Sequence, residues 1–152
     1  MEIGQKTAVF LATGFFVGRS PWAPGTVGTL LAVPLSFLLS RIPWAGAYLC
    51  VAAFAAVAIH TAGVTEKVLG QEDPGCIVID EMAGMLVTLA GLPFTWKTLA
   101  AGFFLFRLLD ILKPPPIRWI ERSLRGGWAV VGDDLAAGIC VQLVLRICVD
   151  YL

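Results

Sequence analysis

Five carboxylates interrupt stretches that are otherwise apolar. Asp80 and Glu81 fall inside 77–92, Asp110 inside 98–112, and Asp133 and Asp134 inside 129–149. A carboxylate in hydrocarbon costs at least about 2.5–3.5 kcal/mol on insertion scales. Grouped carboxylates can hold a hard cation or move a proton. An all-oxygen ligand set suits Mg2+, with Mn2+ as its substitute. Mg2+ typically keeps several waters and takes one or two carboxylates plus a substrate phosphate. Asp80, Glu81, Asp110 and Asp134 are the candidate metal ligands, and with Asp133 they form the candidate catalytic set. Adjacent residues on a helix point about 100° apart, so one member of each acidic pair would ligate while the other orients water or pairs with a neighbour.

Two plainer readings stand beside this one. Asp80, Glu81 and Asp133 could cap helix starts, where negative charge is favoured. Asp110 resists that reading, because its segment ends just beyond it at Lys113-Pro114-Pro115-Pro116. Alternatively the acids could serve only an ion-pair network. Arg107 lies three residues before Asp110 and Lys113 three after it, on one helical face.

The same cations could bind phosphate. Arg107, Lys113 and Arg118 are candidates, Arg as a bidentate fork and Lys as a point charge. Arg19-Ser20-Pro21-Trp22-Ala23-Pro24-Gly25-Thr26 is a turn-rich stretch that could offer N–H groups and hydroxyls to an anion at a helix start. Arg19 and Thr26 therefore join the phosphate candidates. His60, the single histidine, could shuttle protons or could be an interfacial polar residue.

The elements that position these residues follow from composition. Among 152 residues, 58% are hydrophobic and 14% charged, against about 25% charged in a soluble domain. Net charge is zero, which leaves no general case for nucleic acid. The four cysteines show no C-x-x-C pairing, so neither a zinc site nor a disulfide framework is indicated. Residues 42–65 carry no formal charge, and about 20 apolar residues suffice to cross a bilayer. Segments 26–40, 77–92, 98–112 and 129–149 are shorter or interrupted, and 1–18 reads as an interfacial or re-entrant helix or a first span. The expectation is a single all-α membrane domain over 1–152, a polytopic bundle of about five transmembrane or partly re-entrant helices plus a short N-terminal helix.

Threading those segments puts Arg19, Lys67, Lys113, Arg118, Arg122 and Arg125 in loops on one side. Arg41 and Lys97 fall on the other, with the C-terminus. The positive-inside rule makes the richer side cytoplasmic and accounts for Arg122 and Arg125 by itself. At 1.5 Å per residue the five carboxylates reach one layer, roughly 18–24 Å above the opposite face. Residues 113–128 read as an exposed loop that includes Glu121. Gly84 and Ala136-Ala137-Gly138, one turn beyond the acidic pairs, permit close helix approach. A transporter or cation channel is the rival class, but conduction needs polar groups along the whole path, and here nearly all lie on one side.

Four stretches stand out in order along the chain: Ser20-Pro21-Trp22-Ala23-Pro24-Gly25-Thr26-Val27-Gly28, Asp73-Pro74-Gly75-Cys76-Ile77-Val78-Ile79-Asp80-Glu81, Phe106-Arg107-Leu108-Leu109-Asp110-Ile111-Leu112-Lys113-Pro114 and Asp133-Asp134-Leu135-Ala136-Ala137-Gly138. Together they resemble the phosphatidylglycerophosphatase A family. Cys76 stands where many members carry a polar residue, often Glu. The resemblance implies a phosphatase of the bacterial inner membrane, its site facing the cytoplasm. Its substrate would be phosphatidylglycerophosphate, its products phosphatidylglycerol and inorganic phosphate, and its cofactor Mg2+. Membrane lipids are the expected surroundings, and no obligate protein partner is evident.

Overall fold

A computed structural model describes residues 2–148 as helices joined by short turns, with no strand among them. Residue 1 and residues 149–152, which include the ends of the predicted N-terminal and last segments and the C-terminus placed opposite the acidic layer, lie outside the described residues. The helices are α1 (Ile3–Ala12), α2 (Pro24–Leu39), α3 (Trp44–Leu69), α4 (Ile79–Leu89), α5 (Trp96–Leu112), α6 (Pro115–Ser123) and α7 (Gly127–Cys148), with a 3-10 turn at Val17–Arg19.

α4 is the axis of the bundle. All its residues except Glu81 and Val87 are buried, and α2, α3, α5 and α7 pack around it. The centre is tight because small residues line it. A side chain at Gly84 would meet the Phe106 ring at 2.5 Å and the Asp134 carbonyl at 2.8 Å, and one at Gly138 would strike the Gly84 carbonyl. Those glycines let α4 and α7 approach backbone to backbone.

Two helices, α3 of 26 residues and α7 of 22, are long and apolar enough to cross a membrane. α2 and α5, at about 24 and 26 Å, fall short of a hydrocarbon core of about 30 Å. α4 is shorter than its predicted segment. Ile77 and Val78 form a lead-in to it, where Val78 N–H donates to the Ala12 carbonyl at 2.9 Å, and the helix stops before a turn at Gly91, whose φ is +64°. Outside the core, Leu30, Leu49, Phe104, Leu108, Ile111, Leu143 and Ile147 stand exposed on the helix surfaces. So broad an apolar exterior suits hydrocarbon rather than water. The chain is an all-helical membrane bundle.

The end away from the acids is closed by a polar clamp. The Gln142 amide donates to the Ala90 carbonyl at 2.7 Å and to the Tyr48 hydroxyl at 2.9 Å, and Tyr48 donates to Ala90 at 3.1 Å. These bonds satisfy the end of α4, whose carbonyl would otherwise be buried unpaired.

The expected loop at 113–128 is largely helical. Proline at the first turn of α6 starts a helix as readily as it stops α5, because the missing N–H has no partner there in any case.

Candidate active site

Three helix segments and one turn converge at one end of α4. The first turn of α4 carries Asp80 and Glu81, the last turns of α5 carry Arg107 and Asp110, and α7 carries Asp133 and Asp134. α7 begins at Gly127, so Asp133 and Asp134 lie well inside it and are not caps. Asp80 and Glu81 do lie in a first turn, but no side chain caps that helix, whose N-cap residue is Val78. The segment before α4 is held by glycine contacts: side chains at Gly18 or Gly28 would collide with the 76–78 backbone or the Val78 side chain.

Together these elements enclose a cavity of about 260 Å3. All five predicted carboxylates line it, as do Arg107, Lys113 and the first turn of α2 at Pro24 and Gly25. A side chain at Gly25 would collide with the Glu81 carboxylate and lie 3.1 Å from the Arg107 guanidinium. Glycine thus lets the positive end of α2 abut the acids.

The charges are unevenly matched. Arg107 donates a short hydrogen bond to Asp110, and its Nη1 lies 3.7 Å from Glu81 Oε1. Lys113 Nζ lies 2.6 Å from Asp133 Oδ2 and donates to Glu121 Oε1 at 2.7 Å. Burial alone would lower the lysine's pKa, but hydrogen bonds to Asp133 and Glu121 outweigh it and raise the pKa above the ordinary value. Lys113 is therefore cationic at neutral pH. Asp80 and Asp134 have no basic partner among the described residues, and Glu81 has only the longer contact to Arg107.

Those three acids form the cluster. One carboxylate oxygen from each of Asp80, Glu81 and Asp134 lies within 4.8 Å of the others. Glu81 Oε2 and Asp134 Oδ1 are buried with no hydrogen-bond partner. Ionised carboxylates so close together need protons or a cation. An all-oxygen donor set with two unpartnered atoms fits a hard divalent ion.

Strain gathers at the same place. Ala23, Asp73 and Lys113 line the cavity with φ of 41°, 45° and 43°. Each left-handed non-glycine residue costs about 1–3 kcal/mol and tends to persist where geometry is functionally constrained.

Four predicted residues are not brought into the cavity. His60 is exposed on α3. Arg19 is exposed, with its guanidinium 4.7 Å above the Phe16 ring. Thr26 is half-buried one residue beyond the lining turn, and Arg118 is exposed on α6, where it donates to the Leu112 carbonyl at 3.4 Å.

Two residues of the site escape sequence reasoning. Asp73 lines the cavity, its N–H held by Glu66 Oε1 at 3.0 Å. Burial raises its pKa, with Lys113 opposing and Glu121 and Asp110 adding to the rise. The Asp73-Pro74-Gly75 turn is the available signal for it. Glu121 is no exposed loop residue, because it anchors Lys113 from α6. No spacing rule links residues across a proline break. An open cavity of about 910 Å3 adjoins the acidic one, and Asp73 and Val130 line both.

Comparison with known proteins adds an independent finding. Residues 10–149 match the family described as Phosphatidylglycerophosphatase A. A protein of Escherichia coli K12 named phosphatidylglycerophosphatase A is 43% identical over 130 residues, 85% of this chain and 76% of that protein. One of the same name from Haemophilus influenzae Rd is 35% identical over 137 residues, 89% of this chain and 84% of that protein. A Bacteroides thetaiotaomicron protein named putative phosphatidylinositol-3-phosphatase is 41% identical over 149 residues, 91% of each chain. No solved structure matches the chain.

Proposed function

The chain belongs to the phosphatidylglycerophosphatase A family, and we propose that its acidic cavity is where it hydrolyses the terminal phosphomonoester of phosphatidylglycerophosphate, giving phosphatidylglycerol and inorganic phosphate. The observation that carries this reading is the cluster of Asp80, Glu81 and Asp134 beside Arg107 and Lys113 in one cavity.

Asp80, Glu81 and Asp134 would hold Mg2+, with Mn2+ as a substitute, and Asp110 orients Arg107 from one layer out. Bound there, the ion supplies Lewis acidity and offsets the charge of the phosphate. Arg107 presents its guanidinium to the phosphoryl oxygens, and the first turn of α2 adds the positive end of a helix. Asp133 stands outside the clustered three, and takes the proton of the attacking water. Lys113, beside it, neutralises charge developing on the glycerol oxygen as its bond to phosphorus breaks. That oxygen leaves as the alcohol, taking the proton that Asp133 received from the water, relayed through the paired Lys113 ammonium, which regains its own proton from Asp133. The phosphate departs through the wider cavity beyond Asp73 and Val130. Placement in the bacterial inner membrane is carried over from the family, and a site towards the cytoplasm rests on the side that carries most of the loop Lys and Arg residues.

The test is phosphate release by purified protein, with and without Mg2+, on phosphatidylglycerophosphate and on phosphatidylinositol 3-phosphate. Mg2+-dependent release from the first, and little from the second, supports the reading. Release from the inositol lipid alone would transfer the chemistry to another substrate.

A further inference from the structure

We propose that α6 is a docking helix that lies in the plane of the membrane surface and binds the anionic headgroups of bulk lipid, beside the catalytic cavity but separate from it. One side of α6 is anchored. Ile117 is fully buried, and a side chain at Gly132 of α7 would meet Leu124 at 2.8 Å and Ile120 at 3.5 Å. The other side presents Arg118, Trp119 and Arg122 to the exterior, and exposed Arg125 follows directly.

Ion pairs among the described residues are confined to Arg107 and Lys113, so Arg118, Arg122 and Arg125 have no acidic partner there. Trp119 is 66% exposed, and Trp128, at the start of α7, is 58% exposed. A soluble acidic partner would account for the arginines but not for two bare indoles beside them. Indole and guanidinium together match the headgroup region, where amphipathic rings settle and basic side chains meet lipid phosphates. α6 also carries Glu121, which holds Lys113, so docking fixes the level of the cavity relative to the headgroups.

The test is hydrogen exchange of the full chain in nanodiscs of phosphatidylcholine alone or mixed with phosphatidylserine. Each basic residue near an anionic surface contributes about a fivefold effect. Amides of α6 should therefore exchange about tenfold or more slowly in the mixed discs, and added salt should abolish the difference. Arg118→Gln combined with Arg122→Gln and Arg125→Gln should lose it, while α3 exchanges alike in every sample. Equal α6 exchange in the two lipids for the parent, or a difference that survives either high salt or the triple substitution, would overturn the proposal. Exchange needs no turnover, so this outcome is independent of the phosphatase reading.

Discussion

Lys113 and Asp133 meet across the boundary between α5 and α7, Nζ to Oδ2 at 2.6 Å, and this pair fastens the end of one helix to the interior of the other. Lys113 occupies the C-cap of α5 at φ 43°, a conformation that costs a non-glycine residue energy. Asp133 is almost wholly buried.

Removing the lysine charge strands that acid. Lys113→Ala should destabilise the protein by about 3 kcal/mol, the lower end for one partner of a buried pair, since the lysine is partly exposed. Lys113→Gly should lose less, because glycine accepts the left-handed cap. Unfolding of both variants in detergent, measured in parallel, checks this order.

The same pair predicts an alkaline effect. The folded-state pKa of Lys113 is raised above the ordinary 10.5. Its contribution to stability is therefore complete below that value and lost as pH rises through the higher folded one. The stability difference between the parent and Lys113→Ala should narrow as pH climbs beyond that ordinary value. A difference that stays constant through strong alkali would remove the lysine's charge as the source.

Gly25→Ala tests the approach of α2 to the acids. The added methyl would collide with Glu81 and crowd Arg107, although alanine favours helix elsewhere. Turnover should fall about tenfold or more, equivalent to roughly 1.4 kcal/mol of barrier. Gly46→Ala is the comparison, since a side chain there meets only Ile42 Cδ1 at 3.6 Å, an ordinary contact. Equal turnover in the two variants would show that the close approach has no functional consequence.

Much of the site is legible in the sequence because hydrocarbon makes charge conspicuous. The five carboxylates stand out against apolar neighbours, and Arg107 and Asp110 are joined by helical spacing alone. Local pattern fails where tertiary contacts decide. Ile77 and Val78 look like the start of a helix, yet Val78 bonds to Ala12 and α4 begins only after it. The last segment reads as starting at 129, yet α7 opens at Gly127, because a residue without a side chain can press against the Ile59 carbonyl. The Lys113–Glu121 pair spans a proline break, so periodicity could not reveal it.

Asp80 and Asp134 bear the central claim, that clustered buried carboxylates hold the ion on which hydrolysis depends. The most direct measurement is Mg2+-dependent phosphate release per folded molecule in Asp80→Asn and Asp134→Asn. Each substitution keeps shape, removes a charge that is costly to bury, and should leave the protein folded at or above the parent melting temperature. Turnover should drop about a thousandfold, the equivalent of roughly 4 kcal/mol of lost transition-state stabilisation. Near-parent turnover in both variants, with an unchanged Mg2+ requirement, would contradict the assignment.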